Sequence, residues 1–213
     1  MMNKYTLALD FDERKHQYSV DGKVIPSVSE IIGPITYTNY SVQQNAVDQA
    51  AHRGTKVHGL TELYDRGDLE EESTIATDEA LYLMAWIKFC HDYQPKWQYI
   101  ELPLACRMFA GTIDRIGTID GNLAIVDIKT TSSMDRIHKV ALACQLAGYW
   151  DLCQLNGIDA KYWNSFGVQL KKDGTYTVHE TMKIRDKYQF DAVEWFHTMY
   201  NLNSLVRGNR SIE

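Results

Sequence analysis

Asp120-Gly121 stands between two runs, residues 108–119 and 122–129, that are rich in β-branched and apolar side chains. An Asp-Gly pair in that setting is the strongest short-range hairpin signal, because both residues tolerate the positive φ of a two-residue turn. Counting outward from the turn, Ile119 faces Asn122 and Asp114 faces Asp127, and Lys129 lies two residues further along the same face. Opposed side chains on neighbouring strands have Cβ atoms roughly 4.5–5.5 Å apart, and like charges placed there repel. Two carboxylates and an ammonium on one face are poorly explained by packing. They are well explained by a divalent cation, which takes oxygen ligands from one or two carboxylates and from substrate phosphate.

The rest of the chain frames this hairpin. Residues 5–25 read as short strands, with His16 to Val20 and Lys23 to Ile25 about the turn Asp21-Gly22. Pro26-Ser27-Val28-Ser29-Glu30 then opens a short helix, with Ser27 as N-cap and Glu30 closing a capping box, and Gly33-Pro34 ends it. Helical patterning follows over about residues 41–64 and 78–93, stopped by Arg66-Gly67-Asp68 and by Pro95. Strands are expected at 98–106, 108–119 and 122–129, then a helix at about 136–155, ended by Asn156-Gly157. A second hairpin, 161–170 with 175–183, turns at Asp173-Gly174, and a last amphipathic helix covers about 187–205. This order predicts one α/β domain over residues 1–213 with a mixed central sheet: an N-terminal part to about residue 40, a core over about 41–183, and the C-terminal helix.

At 213 residues with 45% hydrophobic and 23% charged residues, the chain can bury one substantial core and is expected to be soluble. No apolar run approaches the roughly 20 residues that span a membrane, and the N-terminus meets acid too early for a signal peptide. The four scattered cysteines, Cys90, Cys106, Cys144 and Cys153, read as reduced thiols of a cytoplasmic protein. A net charge of −6 argues against a nucleic-acid partner, but only weakly, since a bound cation cancels acidic ligands and a local strip can hold phosphates. Candidates for such a strip are Lys129, Arg136, His138 and Lys139, with Lys161, Lys171 and Lys172 further on.

Strand alternation places Asp127 and Lys129 on one face and Ile128 on the other. A lysine beside a divalent ion can orient or deprotonate an attacking water and stabilise charge on phosphorus, which points to metal-assisted phosphodiester hydrolysis. The bland alternative is an exposed, salt-bridged hairpin. The buried character of Ile125, Val126 and Ile128 speaks against it, because charges on such a strand are rarely idle.

The run Ala110-Gly111-Thr112-Ile113-Asp114, followed by Ile125-Val126-Asp127-Ile128-Lys129-Thr130-Thr131, resembles the PD-(D/E)XK nuclease motif in its RecB-like form. Gln145-Leu146-Ala147-Gly148-Tyr149 matches the Q-x-x-x-Y signature of that group, and Arg53-Gly54-Thr55-Lys56-Val57-His58 resembles its upstream helical motif. The opening from His16 to Ile32 is similar to the start of phage-encoded exonucleases of this type. The resemblance covers about residues 16–150, with its elements in the family order, although isoleucine stands where the family name has proline before Asp114.

The resemblance implies a restriction-endonuclease-like core of order αβββαβ, and a Mg²⁺- or Mn²⁺-dependent deoxyribonuclease, most simply an exonuclease. Asp114 and Asp127 would be metal ligands, joined by the Ile128 carbonyl and by His58. Lys129 would be the catalytic lysine. Gln145 and Tyr149 would support the site, with Glu101 and Glu62 as secondary candidates, and Arg53, Arg115, Arg136 and Lys139 would contact DNA. Relatives with an iron–sulfur cluster use three late cysteines; this chain has none after Cys153, so no cluster is expected and the compact phage or mitochondrial-type exonucleases fit better. Without a helicase motif, unwinding would need a helicase or a single-strand annealing or binding protein as partner. Alternatives are a structure-specific endonuclease, a module of this fold that binds nucleic acid without turnover, and a hydrolase of small phosphate esters. Tyr37, Tyr40, Trp150 and Trp163 could stack on unpaired bases or belong to the core.

Overall fold

The computed structural model describes residues 8–12, 17–36, 44–69, 79–158 and 164–206, so that His16, Tyr37, Tyr40, Lys161 and Trp163 lie outside it. Strands β1 (Leu9–Asp12), β2 (Gln17–Val20) and β3 (Lys23–Ile25) form a small antiparallel sheet, with Asp21 and Gly22 turning at φ 51° and 77°. Helix α1 (Val28–Thr36) starts with the expected capping box: Ser27 N–H donates to Glu30 Oε2 at 2.7 Å, and Glu30 N–H donates to Ser27 Oγ at 3.1 Å. It does not stop at Gly33-Pro34. Pro34 cannot supply the N–H that the Glu30 carbonyl would accept, and the Asn203 side chain supplies a donor instead, at 3.4 Å.

Helices α2 (Gln44–Arg66) and α3 (Ala80–Tyr93) come next, followed by strands β4 (Lys96–Ala105), β5 (Ala110–Ile119) and β6 (Asn122–Lys129). The turn between β5 and β6 has Asp120 and Gly121 at φ 51° and 76°, as a type I′ hairpin requires. Helix α4 (Arg136–Leu155) begins on Asp135, whose carboxylate accepts the His138 N–H, and leads to β7 (Asn164–Leu170) and β8 (Tyr176–Glu180). The five strands are ordered β4-β5-β6-β7-β8. All neighbours are antiparallel except β6 and β7, whose parallel pairing needs the crossover that α4 provides. The chain therefore has a mixed α/β architecture, consistent with the restriction-endonuclease-like core.

A second departure from expectation follows β8. The last strand ends at Glu180 instead of continuing to residue 183, and helix α5 (Thr181–Tyr188) follows at once, before α6 (Ala192–Val206). No glycine or proline separates strand from helix, and Glu180 makes no side-chain cap, so that boundary carries no local signal.

Helices flank both faces of the sheet. Ile113, Ile116 and Ile125 pack with Leu142, Leu146, Leu152 and Phe196 of α4 and α6. On the other face Val126, Ile128, Val168 and Leu170 pack with Val57, Trp86 and Phe89 of α2 and α3. Burying each such side chain is worth about 1.5–3 kcal/mol, which fixes the catalytic-strand candidates β5 and β6 between two rigid layers.

Candidate active site

The hairpin register runs as counted, from Ile119↔Asn122 to Arg115↔Val126. Beyond that pair β5 remains joined to β4 as far as Ala110, while β6 remains joined to β7 as far as Lys129. Asp114 and Asp127 thus sit where the sheet forks. There the Asp114 carboxylate bridges the gap, accepting the Ile128 N–H at 2.6 Å. Both acids are buried, Asp127 at 2% exposure.

Helix α2 aims His58 into this fork. Its Nδ1 lies 3.6 Å from Asp114 Oδ1 and 3.6 Å from Glu101 Oε1, and its Nε2 lies 3.2 Å from the Ile128 carbonyl oxygen. One ligand atom each from His58, Glu101 and Asp114 fall within 4.8 Å of one another. Burial alone would lower the His58 pKa, but Asp114, Glu101 and Asp127 overcome it and raise it to about 9. Both ring nitrogens then face acceptors, which suits the doubly protonated imidazolium. Burial also pushes both aspartates above the usual carboxylate range, an effect that His58 moderates at Asp114 and Lys129 moderates at Asp127.

Lys129 Nζ stands 2.9 Å from Asp127 Oδ2 and donates to Gln145 Oε1 at 2.8 Å, while Gln145 Nε2 donates to the Tyr149 hydroxyl at 3.0 Å. Helical spacing puts Gln145 and Tyr149 on one face of α4. Gly111 lets that face approach β5, since a Cβ there would lie 2.8 Å from the Tyr149 ring. Asp127 Oδ2 is buried and accepts no hydrogen bond of proper angle, its ion pair with Lys129 notwithstanding. His58, Glu101, Asp114 and the Ile128 carbonyl form a donor set that fits a hard divalent cation, with Asp127 nearby and paired to Lys129.

The family model of the PD-(D/E)XK nuclease superfamily matches residues 76–202, more than half of the sequence. The chain belongs to the PD-(D/E)XK nuclease superfamily. No curated protein matches it. Membership makes it a metal-dependent nuclease. The matched span includes Glu101, Asp114, Asp127, Lys129, Gln145 and Tyr149, whereas His58 lies upstream of it.

Other residues singled out in the nuclease sequence lie elsewhere. Glu62 pairs with Arg66 at 2.9 Å and stays outside the cluster. Arg53 reaches the Thr130 carbonyl at 3.4 Å, and Arg136 lies on the Tyr188 ring at 5.1 Å, with Lys139 one turn along α4. Arg115, expected to contact DNA, is instead fully buried at 0% exposure. Alternation breaks at this point: Gly111, Ile113 and Ile116 face α4, so that Asp114 and Arg115 in succession both turn toward α2.

There every nitrogen of the guanidinium finds an acceptor in the protein. Its Nε donates to Asp65 Oδ2 at 2.6 Å, its Nη1 to Glu101 Oε1 at 2.9 Å and to the Asp114 carbonyl at 2.7 Å, and its Nη2 to Thr61 Oγ1 at 3.1 Å. Trp86 covers it at 5.5 Å and donates its own Nε1–H to Asp65 at 3.1 Å. Asp65 escaped sequence reading; it lies one turn beyond Thr61 on α2, and a buried arginine in β5 was the signal that an acid must await it. Glu101 sits at φ 50° within β4, a strained conformation for this residue type, and Arg115 is the partner that holds its carboxylate beside His58.

Proposed function

We propose that this chain is a RecB-like deoxyribonuclease that hydrolyses DNA phosphodiester bonds from strand ends with Mg²⁺ or Mn²⁺. The observation that carries this reading is the position of Lys129, held between Asp127 and Gln145 at 2.9 and 2.8 Å on the strand that borders the His58–Glu101–Asp114 cluster. His58, Asp114, Asp127 and the Ile128 carbonyl would hold the cation, with Glu101 at its edge. When bound, the ion supplies an acidified water and charge stabilisation at phosphorus.

The remaining chemistry belongs to the chain. Lys129 orients the attacking water and stabilises charge growing on the phosphoryl oxygens. Gln145 and Tyr149 fix the ammonium, so that little reorganisation is needed at the moment of attack. The buried walls on either side of β6 keep the electrostatics strong by limiting water. A complete set of acids and lysine favours turnover over a binding-only module. Incubation of linear and covalently closed circular DNA with Mn²⁺ tests the end requirement. Linear DNA is expected to be degraded and circular DNA spared, and equal loss of both would remove the exonuclease assignment.

A further inference from the structure

On the α4 side of the sheet, the row that starts at Lys129 continues beyond the site. The parallel register pairs Lys129 with Gln169, and β7 pairs Gln169 with Thr177 and Gly167 with His179. Alternation puts Gln169 and His179 on the same face as Lys129. Contacts agree: His179 Nε2 lies 3.1 Å from Gln169 Oε1, and Gln169 Nε2 donates to the Thr131 carbonyl at 2.8 Å.

Helix α4 brings a second cation over this row. Leu142 packs so closely on Gly167 that a Cβ there would collide with it. Lys139 is three residues earlier on the same helix face, about one turn or 5 Å toward the C-terminal end of β7. That displacement sets it above Gln169 and His179. Lys171 continues the same face just past the end of β7. Burial, then Lys139 and Lys171, hold the His179 pKa below its usual value, as expected where cations converge.

Among the described residues neither lysine has an ion-pair partner. Asp173, beside Lys171, is engaged by the Thr175 N–H and hydroxyl at 3.0 and 2.6 Å, and Asp135, at the start of α4, by His138. In a chain of net charge −6, unpaired cations gathered at one edge of a nuclease site call for an anionic polymer.

We infer that Lys139 and Lys171 form a phosphate track that carries the polynucleotide strand away from Lys129 across β7 and β8, with Gln169 and His179 as its polar floor. This rests on the nuclease reading above and adds the direction in which the strand lies. Each phosphate neutralised contributes about 0.7 to the salt slope for a single strand.

The test compares wild type, the Lys139→Ala/Lys171→Ala pair and a charge-matched Lys23→Ala/Lys88→Ala control, whose lysines lie on β3 and on α3 at the opposite face. Anisotropy of a fluorescent single-stranded oligonucleotide, titrated at several salt concentrations in EDTA, gives affinity and slope; product gels with Mg²⁺ give cleavage. The track variant is expected to bind about tenfold more weakly, with the slope of log K against log salt reduced by about 1.4, while the control matches wild type. Wild-type affinity and slope in the track variant, in a protein that still cuts DNA, would overturn the track alone. Binding that depends on Lys139 and Lys171 in a wild type that never cuts would support the track and sink the nuclease reading instead.

Discussion

Asp114 and Glu101 reach His58 by different means. Asp114 is anchored by the Ile128 N–H, whereas Glu101 sits at a positive φ and is held by Arg115. Arg115 is thereby a positioning residue: one planar fork joins Asp65 and Thr61 on α2 to Glu101 on β4. A lysine has a single ammonium and cannot make those bonds together. Arg115→Lys is therefore expected to weaken Mn²⁺ binding about 10–100-fold, read by calorimetric titration. Full affinity in a folded variant would show that Glu101 needs no such support. His58 makes a second prediction. Its pKa is about 9 in the folded, metal-free chain against an ordinary 6.5. The stability it contributes is present below pH 6.5 and lost as pH rises through 9. The melting temperature in EDTA should thus fall between those values, and the upward shift given by Mn²⁺ should grow over the same range, because fewer protons are displaced. His58→Gln should flatten both trends; trends that persist in it would assign them elsewhere.

The elements around the site depend on close approach. Tyr149 packs where Gly111 has no side chain, and through Gln145 it holds Lys129. Gly111→Ala should cost about 1–3 kcal/mol in urea unfolding, by forcing the ring away, and should lower activity together with stability. A variant of unchanged stability would mean that α4 has slack there. Much of this level could be read from the chain. The Asp120-Gly121 and Asp21-Gly22 turns, the Ser27/Glu30 capping box and the bounds of α4 all rest on local chemistry that a few adjacent residues decide. What escaped depends on distant partners. Helix α1 passes through Pro34 because Asn203, far along the chain, serves the Glu30 carbonyl. Helix α5 begins without punctuation. Arg115 looked like a surface cation because its acid, Asp65, lies on another element.

At the scale of the whole molecule, a net charge of −6 and a polynucleotide substrate are compatible because the charges are segregated. Acids crowd the fork, where a divalent cation would neutralise them, and unpaired lysines lie beyond it. Among the described residues no helix is long and apolar enough to cross a membrane. We propose the fork between β5 and β6 as the catalytic centre. Its most direct measurement is cleavage of an end-labelled linear oligonucleotide by wild type, Asp127→Ala and Lys129→Ala, each with Mn²⁺ and with EDTA. Wild type should cut only with Mn²⁺, and each variant should lose on the order of 10²–10⁴-fold in rate while keeping its fold. Cutting in EDTA, or wild-type rates in both variants, would place the catalytic centre elsewhere.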